Sequence, residues 1–231
     1  MNDLAQNLIE ELQCETVFTI PVLGGIPVSE AVVVTWIIMA VLVVIAFILT
    51  RNLKVDHISK RQAVAESIVT GLMNMVQGMV GEKGKAYVPY LTTVMLYIGV
   101  SNIIGLFGFK SPTKDLRVTV ALALMSIILI EAAGIYHKGV KRWLHGFVEP
   151  VAIVTPINIL EVVTKPLSLC MRLFGNVLAS YIIMELIDAV CPIVIPLAFS
   201  AYFDIFDGFI QAYVFVFLTS LFINEAIEDD D

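Results

Sequence analysis

Lys165-Pro166-Leu167-Ser168-Leu169-Cys170-Met171-Arg172-Leu173-Phe174-Gly175-Asn176 lies inside an apolar run that extends from Val151 to Val190. As a helix, that run would be about 60 Å long at ~1.5 Å per residue, twice the ~30 Å of a bilayer's hydrocarbon core. Tilting, kinking or partly lying down would relieve the mismatch, and Pro156 and Pro166 are candidate kinks. Arg172 sits deep within the run. An arginine at mid-span costs about 2.5–3.5 kcal/mol on insertion scales, and its guanidinium cannot shed its proton to escape. Lys165 is seven residues away and almost twenty more follow Arg172, so snorkelling is poor. The side chain needs a carboxylate, water or both. An ion pair within the chain is the plain alternative to a functional role.

The rest of the sequence agrees with a membrane as solvent. The chain has 231 residues, 58% hydrophobic and 15% charged, with a mean hydropathy of +0.90. A soluble domain carries about 25% charged residues. Met1 to Gln13 holds no Lys or Arg, and the first apolar run, Val28–Leu49, lacks a small-residue cleavage site. It reads as a retained span following an external segment, 1–27. Further apolar stretches cover Tyr87–Phe109, Leu116–Tyr136, Val151–Val190 and Pro192–Ile227. Within residues 61–82, Val64, Ile68, Leu72, Val76 and Met79 recur every three or four positions among polar residues, the pattern of an amphipathic surface helix. The expected fold is all-α: about five transmembrane helices plus that surface helix. Residues 150–227 form a tilted two-helix hairpin, joined near Cys191–Pro196, and 228–231 form a solvated acidic tail.

Loops between the first and second, and third and fourth, spans carry nine basic residues: Arg51, Lys54, Lys60, Arg61, Lys83, Lys85, Lys138, Lys141 and Arg142. The loop between spans two and three carries Lys110, Lys114 and Arg117. The asymmetry predicts an external N-terminus and a cytoplasmic C-terminus. Cys14, Cys170 and Cys191 form no metal or disulfide pattern. Neither GxSxG nor HExxH occurs, and His57, His137 and His145 fall in loops. No cofactor, metal or nucleic-acid partner is expected.

On a helix, Ser168, Arg172, Gly175, Asn176 and Ala179 share one face, and small residues beside the arginine allow another helix to approach. Tyr181 and Glu185 lie roughly opposite, with Asp188 nearby, a second face suited to lining water; simple exposure at a helix end would also explain Asp188. Asp204, Asp207 and Gln211, at i, i+3 and i+7, form one polar stripe on the final helix, unsuited to face lipid. An external loop would account for the two aspartates but not for Gln211. Glu161 and Lys165 have the i, i+4 order of a helical ion pair, and Glu131 is a further intramembrane acid.

The Arg-Leu-Phe-Gly-Asn core after Lys165-Pro166, with Pro156–Glu161 before it, resembles the signature of subunit a of the bacterial F-type ATP synthase. Gln211-Ala212-Tyr213-Val214-Phe215 is similar to that family's second conserved element, and Ser101–Leu106 and Pro112–Leu116 match two further stretches. The resemblance covers roughly residues 60 to 225. It implies a non-catalytic stator subunit of the cell membrane, set against a ring of c subunits, with b-type peripheral stalk subunits and membrane lipid as further partners. Two half-channels would pass H+ or Na+ to ring carboxylates, with Arg172 the essential arginine, Asn176 its neighbour and Gln211 the glutamine that faces it. Asn102, Ser168 and Glu161 join the path, and Asp204 falls where members often carry His or Glu. Tyr181 departs from the family's Glu or His, and Glu185, one turn on, is the candidate replacement. The reading outside the family is a stand-alone ion or anion transporter, which usually shows internal repeats; none is visible.

Overall fold

A computed structural model describes residues 16–20, 26–51, 59–107, 111–146, 155–190 and 199–228. Two short antiparallel strands, β1 (Thr16–Ile20) and β2 (Ile26–Ser29), precede the helices and pair with Phe18 opposite Val28 and Ile20 opposite Ile26. This hairpin lies in and just beyond the segment expected to be only an external tail. The α-helices among the described residues are α1 (Glu30–Thr50), α2 (Lys60–Val80), α3 (Val88–Ile103), α4 (Leu116–Lys138), α5 (Val140–Gly146), α6 (Thr155–Val190) and α7 (Gly208–Ile227). Among the described residues, six helical segments are long and apolar enough to cross a bilayer, and the chain is an all-α multi-pass membrane protein. Apolar side chains along α1 are openly exposed, Val43, Phe47 and Ile48 each by more than 60%, as suits a helix in lipid.

Five spans were expected, and the sixth candidate is α2, the helix read as lying on the surface. Its boundaries follow from its ends. The Ser59 hydroxyl accepts the Gln62 N–H at the start, satisfying one orphan donor. Gly81 takes φ 73° at the end, a left-handed conformation that glycine adopts without a Cβ penalty. Polar Gln62, Glu66, Thr70, Asn74 and Gln77 interrupt its apolar positions. Val76 and Val80 are buried.

Pro166 is the one proline inside α6. Pro156, also expected as a kink, lies in the first turn, where a missing N–H removes no helical bond. At 36 residues, α6 would be about 54 Å long. The joint near Cys191–Pro196 lies outside the described residues.

The described chain forms two compact units, and the boundary between them falls within several helices. The first comprises residues 1–42, 97–119 and 171–211; the second, 43–96, 120–170 and 212–231. In the first, Ala31, Val34 and Ile38 of α1, Ile98 of α3 and Leu173 of α6 are buried. In the second, Leu91, Ile127, Ile130, Leu169, Phe215, Val216 and Ile223 form the apolar interior.

Candidate functional site

Arg172 stands on an exposed face of α6 with exposed Ser168 and Ala179 and half-buried Gly175 and Asn176, while Leu169 and Leu173 turn inward. The 100° step of the helix produces this division. A Cβ placed on Gly175 would meet nothing within 4 Å. Among the described residues, no hydrogen bond or ion pair engages the Arg172 guanidinium. The Arg172 face is therefore open, narrow in profile and positively charged.

The first unit also holds a buried polar lock. Asn102, at the end of α3, donates through Nδ2 to the Gly208 carbonyl at 3.2 Å and accepts at Oδ1 from the Thr113 hydroxyl at 2.9 Å. The Ser111 hydroxyl donates to the Ser101 carbonyl and lies 2.7 Å from Thr113 Oγ1. A glycine at 208 is what permits this: a Cβ there would stand 2.8 Å from Asn102 Cβ, inside contact distance. Asp115, one residue before α4, caps it by accepting the Arg117 N–H, and its other oxygen accepts from Ser29 Oγ at 2.7 Å.

Residues 201–207, expected to continue an α-helix, form a π-helix instead. The Gly208 N–H reaches back to the Phe203 carbonyl, five residues earlier, as well as to Ile205. A wider turn changes the angular step, so the i, i+3, i+7 stripe does not run unbroken through Asp204, Asp207 and Gln211. Single π turns inside α-helices often mark functional sites. Gln211 Nε2 lies 3.5 Å from Asp207 Oδ1, so these two remain together. Gln211 is buried, and its Oε1, Ser101 Oγ and the Tyr181 hydroxyl make no hydrogen bond among the described residues. No hydrogen bond joins Gln211 to Arg172 among the described residues. The side chains of Glu185, Asp188 and Asp204 lie outside the described set.

Tyr181 has a cation for a neighbour: Lys114 Nζ sits 3.9 Å from its ring centroid, within the distance at which ring and ammonium attract. Thus Tyr181, the noted departure from Glu or His, faces a base.

In the second unit, a cavity of about 260 Å3 is lined by Glu131, Lys138, Arg142, Trp143, Asn158, Glu161, Lys165 and Glu225, with Ile130, Val162, Gly146 and Ala226 completing it. Trp143 Nε1–H donates to Glu131 at 2.9 Å. Lys165 lies 3.0 Å from Glu225 and 3.7 Å from Glu161. The expected Glu161–Lys165 helical pair exists, but the closer partner is Glu225, 60 residues away. Sequence reasoning missed Glu225 and Trp143. The signal was present, an acid two residues from the end of an apolar helix and an indole among loop cations. Only the fold shows that both meet one cavity.

A family model described as ATP synthase A chain matches residues 32–224, starting well before the stretch at which the sequence resemblance began. Curated relatives match along nearly the whole chain. ATP synthase subunit a 2 of Bradyrhizobium sp. (strain BTAi1 / ATCC BAA-1182) is 32% identical, covering 89% of this chain and 92% of its own length. ATP synthase subunit a 2 of Acaryochloris marina (strain MBIC 11017) is 32% identical, covering 90% and 89%. The sodium ion specific ATP synthase subunit a of Propionigenium modestum is 33% identical, covering 89% and 76%.

Proposed function

The chain belongs to the ATP synthase A chain family, and on that premise we propose that it is the ion-translocating stator subunit, using Arg172 to exchange ions with carboxylates on an adjacent c-subunit ring. The observation that carries this reading is the open Arg172 face. A permanent cation in a helix long enough to cross the membrane, with no partner among the described residues, calls for an acid from another polypeptide.

A ring carboxylate must be neutral while it faces lipid, because an unpaired charge there is costly. An ion, H+ or Na+, arrives by one half-channel and neutralises it, and rotation then carries the pair through the bilayer. At Arg172 the carboxylate surrenders its ion to the other half-channel and pairs with the guanidinium. The fixed charge also repels a cation leaking straight between the half-channels. Each charge that crosses gains about 2.3 kcal/mol per 100 mV, so several must cross for one ATP. The chain itself performs no bond chemistry.

Asn102, Asp207, Gln211, Tyr181 and Ser101 suit the outer half-channel, where buried oxygens lacking partners are natural seats for water. Asn176 and Ser168 flank Arg172 on the ring-facing side. Glu185, Asp188 and Asp204 belong to the same outer path in this reading. The charged cavity around Glu161 and Glu225 suits the mouth of the inner half-channel. In this reading, supported by the loop-cation asymmetry, the N-terminus is outside and the C-terminus in the cytoplasm, in the cell membrane, with b-type stalk subunits holding the stator.

The test is proximity. In the assembled complex, Asn176→Cys should form a disulfide with a cysteine placed one turn from the ring carboxylate, whereas a cysteine at Leu169, buried on the inward side, should not. Equal cross-linking from both positions, or from neither, would count against the assignment.

A further inference from the structure

The charges around the second unit's cavity answer one another, so they hold helices together. Lys165 is the junction. Its ammonium is 3.0 Å from Glu225 Oε1 of α7, 3.7 Å from Glu161 Oε2 of its own helix and 5.3 Å from the Phe222 ring centroid. Phe222 and Glu225 are three residues apart on α7, so the ammonium meets two groups on one face of that helix. The Lys165 side chain is only 21% exposed, against 56% for Glu225.

The place of this junction matters. Pro166, the next residue, has no N–H, so the Val162 carbonyl loses its donor four residues on, and helices bend most readily at such a point. Arg172 follows about 10 Å further along α6. A bend of about 20° at Pro166, the size at which kinks are recognised, would sweep Arg172 sideways by roughly 3–4 Å over that length. A charge meeting a passing carboxylate tolerates little of that.

We propose that Lys165 is a positioning residue: joined to Glu225 beside the Pro166 break, it fixes the direction of the helix segment that carries Arg172. This rests on the reading of Arg172 given above. It adds that the tie between α6 and α7, more than the local sequence of α6, sets where the guanidinium stands.

The test uses the whole ATP synthase complex in vesicles, measuring ions taken up per ATP hydrolysed alongside the amount of assembled complex. Lys165→Glu and Glu225→Lys should each lower uptake per ATP about two- to fivefold, the range a partly exposed ion pair commands. Assembly should be unchanged. The double variant Lys165→Glu/Glu225→Lys should recover most of the loss, and Lys165→Arg should keep the ratio. Single variants with unaltered ratios, or a double variant no better than the singles, would overturn the proposal. So would losses that follow the amount of complex alone. Arg172→Ala separates the two layers. If it stops uptake while the Lys165 variants leave uptake per ATP unaltered, only the positioning role fails; if it leaves uptake intact, the underlying reading fails.

Discussion

Arg172 is costly to insert, so its presence asks for compensation, and the described chain offers none in hydrogen bonds or ion pairs. Its neighbours keep the approach clear: Gly175 has no side chain and Ser168 and Ala179 have small ones. A second residue-scale constraint is Gly208. A methyl group there would press on Asn102 Cβ at 2.8 Å, with the Asn102 amide already fixed by accepting from Thr113 and donating to the Gly208 carbonyl. Gly208→Ala should therefore destabilise the fold by about 1–3 kcal/mol, as overpacking does. A lower unfolding midpoint of the purified protein would register this, and an unchanged midpoint would show that α7 can move away freely.

At the scale of elements, the helix starts are held by side chains remote in sequence. Asp115 caps α4 and also accepts from Ser29 at the start of α1. Asp115→Ala removes both bonds, leaving a buried hydroxyl and an open helix end, and the cap alone is worth about 1 kcal/mol. Faster amide exchange over the first turn of α4 is the expected result, with Asp115→Asn close to the parent. The spans were readable because apolar length is written in the sequence, and Arg172 because a charge in such a run cannot be hidden. Thr113 and Asp115 were seen only as parts of a matching stretch, and Ser111 not at all, since their roles lie in pairing with residues 10 to 86 positions away. The π-helix at 201–207 was not readable: one additional residue per turn leaves the polar spacing looking α-helical. Lys165 showed its i, i+4 partner, Glu161, but its nearer one, Glu225, is supplied by the return of the chain.

For the whole molecule, the uneven distribution of loop cations is the basis of the proposed direction. Glu228→Cys, in a background with Cys14, Cys170 and Cys191 replaced by serine, should react with an impermeant maleimide in inside-out vesicles and be protected in intact cells. The reverse pattern would invert the proposed orientation and exchange the two half-channels. Direction, however, only matters if ions pass by way of the arginine. The most direct trial is ATP synthesis driven by an imposed ion gradient in vesicles holding the complete complex with Arg172→Ala. Synthesis should fall to background while the complex assembles and still hydrolyses ATP; synthesis persisting at the parent's rate would contradict the account.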